Sequence, residues 1–260
     1  MFNKVYLGDT LISKIMLGDT NIKYREEVSP PNEGNYRLFA VKDANFYEID
    51  PINMTIIKQT TNEPLNNKAK YLVGGIDKGE LGLYWLHNNY DYVSTDMITG
   101  AFNPNDFSII FEADSSASSF KPPKHVVCGG GVDVNNQVKI YYEIAIFNTL
   151  YELPDVRKYT GVYSIELGIN PITVECNIAY FKENDTEYIW CANELLDITN
   201  NIRVKRISGQ SMAYSAMQDG TYYIYELEGV ILRKMNAQRT EILETMELPL
   251  EFDSIVWLKE

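Results

Sequence analysis

The sequence of 260 residues predicts an all-β fold, and three observations predict it. Short runs of aromatic and β-branched residues recur along the chain, each bounded by polar turn residues, which is the composition of strands. No long stretch keeps a convincing helical period of apolar residues. The chain opens on a tandem decapeptide, VYLGDTLISK then IMLGDTNIKY at 5–24, and each half sets Gly-Asp between β-prone pieces.

That opening predicts the first element. Each half joins an apolar piece (VYL at 5–7, IML at 15–17) through a Gly-Asp-Thr turn signal to a second short piece (LI at 11–12, NI at 21–22). Gly-Asp supplies the positive φ and local hydrogen bonding that tight turns require, so the expected shape is a run of very short strands folding back and forth. About two dozen residues of β-ribbon cannot bury enough surface to stand alone. The segment is therefore expected either to lie against its own domain or to act as an anchor that adds strands to a partner. The residues carrying such a contact are Val5, Tyr6, Leu7, Leu11, Ile12, Ile15, Met16, Leu17 and Ile22. Next comes REEVSPPNEGN at 25–35, polar, without apolar periodicity and stiffened by Pro30 and Pro31, which reads as a linker. The expected organisation is an anchor at 1–24, a linker at 25–35 and one large domain at 36–260.

The doubled LGDT sequence, at 7–10 and 17–20, resembles the N-terminal "YLG" repeats of structural and tail-associated proteins of tailed bacteriophages, where such a segment precedes a variable domain. The resemblance covers residues 4–24. It implies a virion protein of the tail, collar or fibre, made in the host bacterial cytoplasm and held to other virion structural proteins through its first residues.

The domain at 36–260 reads as strands throughout: RLFAV (37–41), YLV (71–73), LGLYWL (81–86), KIYYEIAI (139–146), YIWC (188–191), YYIY (222–225) and SIVWL (254–258). The stretches 194–207 and 233–248 hold at most a turn or two of helix, and the second scans better as two strands around Asn236. Four segments stack on one acidic residue: FYEID ending at Asp50, YVSTD at Asp96, VYSIE at Glu166 and YYIYE at Glu226, each followed by a turn and another strand. That hairpin resembles the outer strand pair of a β-propeller blade. Successive anchors are 46, 70 and 60 residues apart, against about 40 to 50 per blade in familiar repeats. Four to six blades are expected, five best, the longer gaps needing either insertions or a blade missed around 188–207. Pairing of SIVWL with RLFAV would close the ring and protect its edges. A β-sandwich is the alternative.

Composition bounds the partners. With 36 Asp and Glu against 23 Lys and Arg the formal net charge is −13, the wrong sign for neutralising phosphates, so no nucleic acid is expected. No run of 18 apolar residues occurs, so no membrane insertion is expected, and the N-terminus lacks the pattern of a secretory signal. Cys128, Cys176 and Cys191 are odd in number and widely spaced, which fits buried thiols of a reducing compartment better than disulfides or a zinc site.

Catalytic patterns are missing. His87 and His125 are the only histidines, and neither lies in a metalloprotease, nucleophile-elbow, phosphate-loop or dinucleotide motif. CGGGVDVNNQ at 128–137 reads as a loop, since no helix follows its glycines, and Asp133, Asn135 and Asn136 fall short of a calcium loop. No catalytic residue, metal or cofactor is expected, nor is an enzyme. The polar-aromatic stretch at 84–90, with Tyr84, Trp85, His87 and Tyr90, is the expected exposed contact for a ligand. The expected function is a structural phage component that displays a propeller-like domain. The alternatives are a host-receptor or glycan-binding module of the virion, or a carbohydrate-active enzyme with two carboxylates in a central funnel.

Overall fold

The structure is a computed structural model, and it describes residues 6–7, 10–11, 14–17, 20–23, 36–43, 45–61, 72–91, 94–114, 126–144, 149–152, 163–166, 177–191, 193–208 and 212–259. Among these residues there is no helix. Contacts divide the chain into two compact units, Met1–Glu33 and Gly34–Glu260, a division inside the expected linker.

The first unit holds two hairpins. β1 (Tyr6–Leu7) pairs with β2 (Thr10–Leu11), and β3 (Lys14–Leu17) with β4 (Thr20–Lys23). Leu7 stands opposite Thr10 and Leu17 opposite Thr20, so each LGDT closes a hairpin across two residues. The doubled decapeptide is thus one hairpin written twice.

The second unit is a β-propeller of four sheets. One sheet joins the two ends of the unit: β24 (Ser254–Lys259) pairs with β5 (Tyr36–Lys42), followed by β6 (Asn45–Ile49) and β7 (Ile56–Thr61). Ser254 lies opposite Val41 and Lys259 opposite Tyr36, which is the expected ring closure. The next sheet is β8 (Leu72–Asp77), β9 (Glu80–Asp91), β10 (Ser94–Phe102) and β11 (Ile109–Asp114). The eight-stranded sheet contains two meanders. They are β12 (Val126–Val132), β13 (Val138–Ile144), β14 (Thr149–Glu152) and β15 (Tyr163–Glu166), then β16 (Asn177–Glu183), β17 (Thr186–Cys191), β18 (Glu194–Asp197) and β19 (Ile202–Arg206). Their first strands pair in parallel at Cys128–Asn177, Gly129–Ile178 and Gly130–Ala179. The last sheet is β20 (Met212–Gln218), β21 (Thr221–Glu228), β22 (Ile231–Asn236) and β23 (Ile242–Glu247). The sheets number four, within the expected four to six and one short of the expected best count of five, because the meanders β12–β15 and β16–β19 pair into a single sheet. The segment around 188–207 belongs to one of them, and 233–248 forms two strands around Asn236 as expected.

The innermost strands β24, β8, β12, β16 and β20 touch in cyclic order. Alternation along these strands sends side chains into the gaps on either side. In β24, Ile255 and Trp257 join one core with Tyr214, Tyr225 and Leu38, while Val256 and Leu258 join another with Phe39, Phe102 and Phe107. Both faces are buried, which is why SIVWL and RLFAV read as unbroken apolar runs rather than as alternation. The cores lie between sheets rather than inside one sandwich, so the sandwich alternative is set aside.

The axis is crowded with backbone, and small residues sit there. A Cβ on Gly74 would fall 2.8 Å from the Trp257 carbonyl oxygen, and one on Gly130 would fall 1.8 Å from that of Lys139. The glycines of CGGGVDVNNQ are therefore strand residues of β12 and not the expected loop; the turn is Asp133–Gln137, where Asp133 Oδ1 accepts from the N–H groups of Asn135 and Gln137 at 2.8 and 2.9 Å. Gly220, by contrast, is glycine for its φ of +77° in a tight hairpin, with open space where a Cβ would stand. Gly130→Ala should cost at least about 3 kcal/mol, while Gly220→Ala should cost about 1 kcal/mol for its left-handed φ. Urea unfolding of the two variants reads the difference.

Candidate functional site

The internal repeat has a different frame from the one expected. Asp50 does sit at a turn, but Asp96 lies within β10, Glu166 ends β15, and Glu226 is mid-strand in β21. The true equivalents are Asp50, Asn103, Asp197 and Asn236: Asp197 and Asn236 end the third strand of a meander, and Asp50 and Asn103 directly follow it. Asp50, Asn103 and Asn236 donate their N–H to the carbonyl five residues on, at 2.8, 2.9 and 3.2 Å. A non-glycine residue with positive φ follows in every case, Met54, Phe107, Asn201 or Arg239. Seven residues after each Asx comes a one-residue bulge at Ile57, Ile110, Val204 or Leu243. Asp50 and Asp197 also share a local design: the side-chain amides of Asn53 and Asn200 donate to them at 2.8 Å. That bond, with the N–H groups of Asn53 and Ile52 behind it, holds the exposed Asp50 carboxyl below its ordinary value. A signature of Asx, then an aliphatic seven residues later, was present in the sequence and would have found the frame.

These turns clasp the preceding meander. Phe107 is buried, stacks on Phe46 with centroids 4.8 Å apart and meets Phe39 edge-on at 5.9 Å. Lys58 Nζ donates to the Asn105 carbonyl and lies 4.9 Å from the Phe107 ring. The last sheet repeats the arrangement on β17. Lys205 Nζ donates to the Gln238 carbonyl, Trp190 Nε1 donates to the Ala237 carbonyl at 2.8 Å, and the Arg239 guanidinium lies 4.7 Å over the Trp190 ring while pairing with Glu226. Burial, and then the neighbouring Arg239 charge, pull Lys205 below its ordinary value.

At the axis, Tyr36, Asn136, Tyr214, Ser215, Trp257 and Lys259 border a cavity of about 20 Å³, the room of roughly one water molecule. Its described lining holds no carboxylate, so the paired acids that glycoside hydrolysis requires are not among the groups gathered there. Among the described residues no group of three or more His, Cys, Asp or Glu converges as metal ligands would. Cys191 is buried within the core that holds Trp190 and Leu195.

The expected ligand contact is corrected at two of its four positions. Tyr84 and Trp85 are fully buried in β9, a continuous strand and not a loop. Tyr84 Oη donates to the Glu80 carbonyl at 2.6 Å, and Trp85 stacks on Phe102 at 5.9 Å. His87 and Tyr90 lie on the same strand, opposite Ile98 and Thr95, with side chains outside the described residues. Of the anchor positions, Tyr6, Leu7, Leu11, Ile15, Met16, Leu17 and Ile22 fall on the strands of the two hairpins, whereas Val5 and Ile12 lie outside the described residues. Register and strand alternation put Ile15, Leu17, Thr20 and Ile22 on one face of the second hairpin.

No family profile matches the sequence, and no curated protein matches it. Among solved structures, the chain is similar to a protein of unknown function from Bacteroides caccae, at 12% identity over 82% of this chain and 73% of that one, with a TM-score of 0.43. It is also similar to a chain of the nidogen/laminin complex, at 9% identity over 85% and 98% with a TM-score of 0.46. Apo AztD from Citrobacter koseri matches at 7% identity over 86% and 98%, with a TM-score of 0.42.

Two outcomes follow from these contacts. Arg239→Met leaves Glu226 without its counter-ion in a largely buried place and should cost about 3 kcal/mol; Glu226→Gln in the same chain should recover part of it, a non-additivity that a double-mutant cycle by urea unfolding measures. The second concerns pH. Burial, the first cause in each, raises Tyr180, Tyr214, Tyr222 and Tyr225 well above the ordinary tyrosine value of 10.0. Their folded values exceed their unfolded ones, so the stability they contribute is complete below pH 10 and is lost as pH rises beyond it. Tyrosinate absorbance of these four should appear only together with loss of the β signal in circular dichroism.

Proposed function

We propose that this chain is a structural component of a particle, tethered to a partner protein through its N-terminal hairpins and displaying the propeller as a rigid domain. The observation that supports this reading is the first unit: contacts set Met1–Glu33 apart from the ring, and it contains one hairpin built twice with the same register. Two-stranded ribbons are marginal in water, and among the described residues each of these strands pairs on one side only. A strand added by a partner would satisfy the free edge, and the face carrying Ile15, Leu17 and Ile22 would meet the partner's apolar surface. The ring closes on itself through the pairing of β24 with β5. The resemblance of the doubled LGDT to phage repeats identifies the particle, in this reading, as a tailed-bacteriophage virion.

Deletion of residues 1–24 tests it. The remainder should keep its β signal and melt within a few degrees of the full chain, yet be missing from purified particles. In the full-length chain, Leu17→Asp with Ile22→Asp should lower incorporation at least tenfold without changing the melting of the ring. Normal incorporation of either variant would sink the tether.

A further inference from the structure

The rim of the propeller is formed by the last strand of each meander, and most of the large exposed aliphatics lie on it. Ile56 and Ile57 are on β7, Ile109 on β11, Ile202 and Val204 on β19, and Ile242 and Leu243 on β23. Two of these strands carry opposite charge. β19 contains Arg203, Lys205 and Arg206 and no acid, while β23 and the residue before it contain Glu241, Glu244 and Glu247 and no base. Lys205 is held in the Trp190 clasp, but Arg203 and Arg206 reach outward and share the single carboxylate of Glu194, at 3.2 and 3.8 Å. One negative charge thus serves two guanidiniums. Glu244 and Glu247 on β23, and Glu241 just before it, are all exposed. Each strand ends its sheet and, among the described residues, is bonded along one edge only.

We propose that the β19 rim of one copy docks on the β23 rim of a second copy. Arg203 and Arg206 would then meet Glu244 and Glu247, and Val204 (48% exposed) would pack on Leu243 (46% exposed). The bulges at Val204 and Leu243 interrupt the edge ladders, so side chains rather than a continuous sheet make this contact. The two surfaces differ, which makes the contact heterologous: every copy offers one of each, and association propagates into a ring or filament instead of stopping at a dimer. A small edge interface rich in charge is weak and sensitive to salt. This inference does not depend on the tether, because the residues it uses lie wholly outside residues 1–33.

Sedimentation velocity of the full chain over a concentration series tests it. Species larger than a dimer should grow with concentration at low salt and recede in about 1 M salt, where the screening length is about 3 Å. Glu244→Lys with Glu247→Lys, both on an exposed strand, should weaken association about tenfold or more while leaving the thermal melt in place. Val204→Glu should do the same from the β19 side. Mixing the Glu244→Lys, Glu247→Lys variant with Arg203→Glu, Arg206→Glu should restore association through the exchanged charges; should the arginine variant melt early, Val204→Glu alone decides the β19 side. A chain that stays monomeric at every concentration in low salt, or associates equally well in all the folded rim variants, would overturn the proposal.

Discussion

The propeller depends on how closely backbone can approach backbone at its axis. The inner strands β8, β12, β16, β20 and β24 must converge there, and β12 and β16 come close enough to share parallel hydrogen bonds. No side chain fits at the tightest points, so Gly74, Gly75, Gly130 and Gly131 occupy them, with Ala179 on β16 opposite Gly130. Further out the same strands carry Trp, Tyr, Phe and Leu. Each meander is therefore a wedge, small at the axis and bulky toward the middle, and the wedge angle sets how many can close the ring. The turn after β12 completes the seal: Ile76 donates its N–H to the Asn136 carbonyl at 2.8 Å, and the Asn136 amide reaches the Lys259 carbonyl at 3.3 Å.

Closure of the ring then turns short strands into a cooperative body. β24 has no covalent link to β5, yet its side chains divide between two inter-sheet cores, so the last strand ties both the first and the last sheets of the ring. The clasp turns add a second layer of connection farther from the axis. Phe107 on the Phe46 and Phe39 rings, and Arg239 on Trp190, both project from residues with positive φ. That conformation costs about 1 kcal/mol or more for a residue with a Cβ, and the burial of a phenylalanine, or an ion pair stacked on an indole, offsets it. A glycine there would relieve the backbone and lose the clasp.

Much of this was legible in the sequence because strands leave a local record. Buried inner strands show as unbroken apolar runs, the pairing of SIVWL with RLFAV could be read from two such runs at the ends of the domain, and LGDT written twice is a hairpin written twice. The repeat frame differs from the expected one because the marker is Asn in two of its four places, so a frame built on acidic residues passes over Asn103 and Asn236 and settles on Asp96, Glu166 and Glu226 instead. The glycines of β12 were misread for a related reason. Gly-Gly-Gly resembles a loop locally, and only the approach of β13 and β16 makes it a strand. The polar neighbours of Tyr84 and Trp85 in sequence suggest exposure, whereas the strand buries both against Phe111, Phe102 and Gly100.

The same geometry leaves little room at the axis, where the cavity among the described residues holds about 20 Å³. A funnel needs inner strands held apart by side chains, and here they are held together by glycine. The sheet faces are spent on one another in the inter-sheet cores. What remains to the ring is its rim, where aliphatic bulge residues stand beside charge of one sign on β19 and the other on β23. The N-terminal unit, taken by itself, is two hairpins whose strands each pair along one edge among the described residues. A scaffold closed this tightly keeps a fixed shape while substitutions accumulate on its rim, and under the tether proposal that shape is what the chain presents.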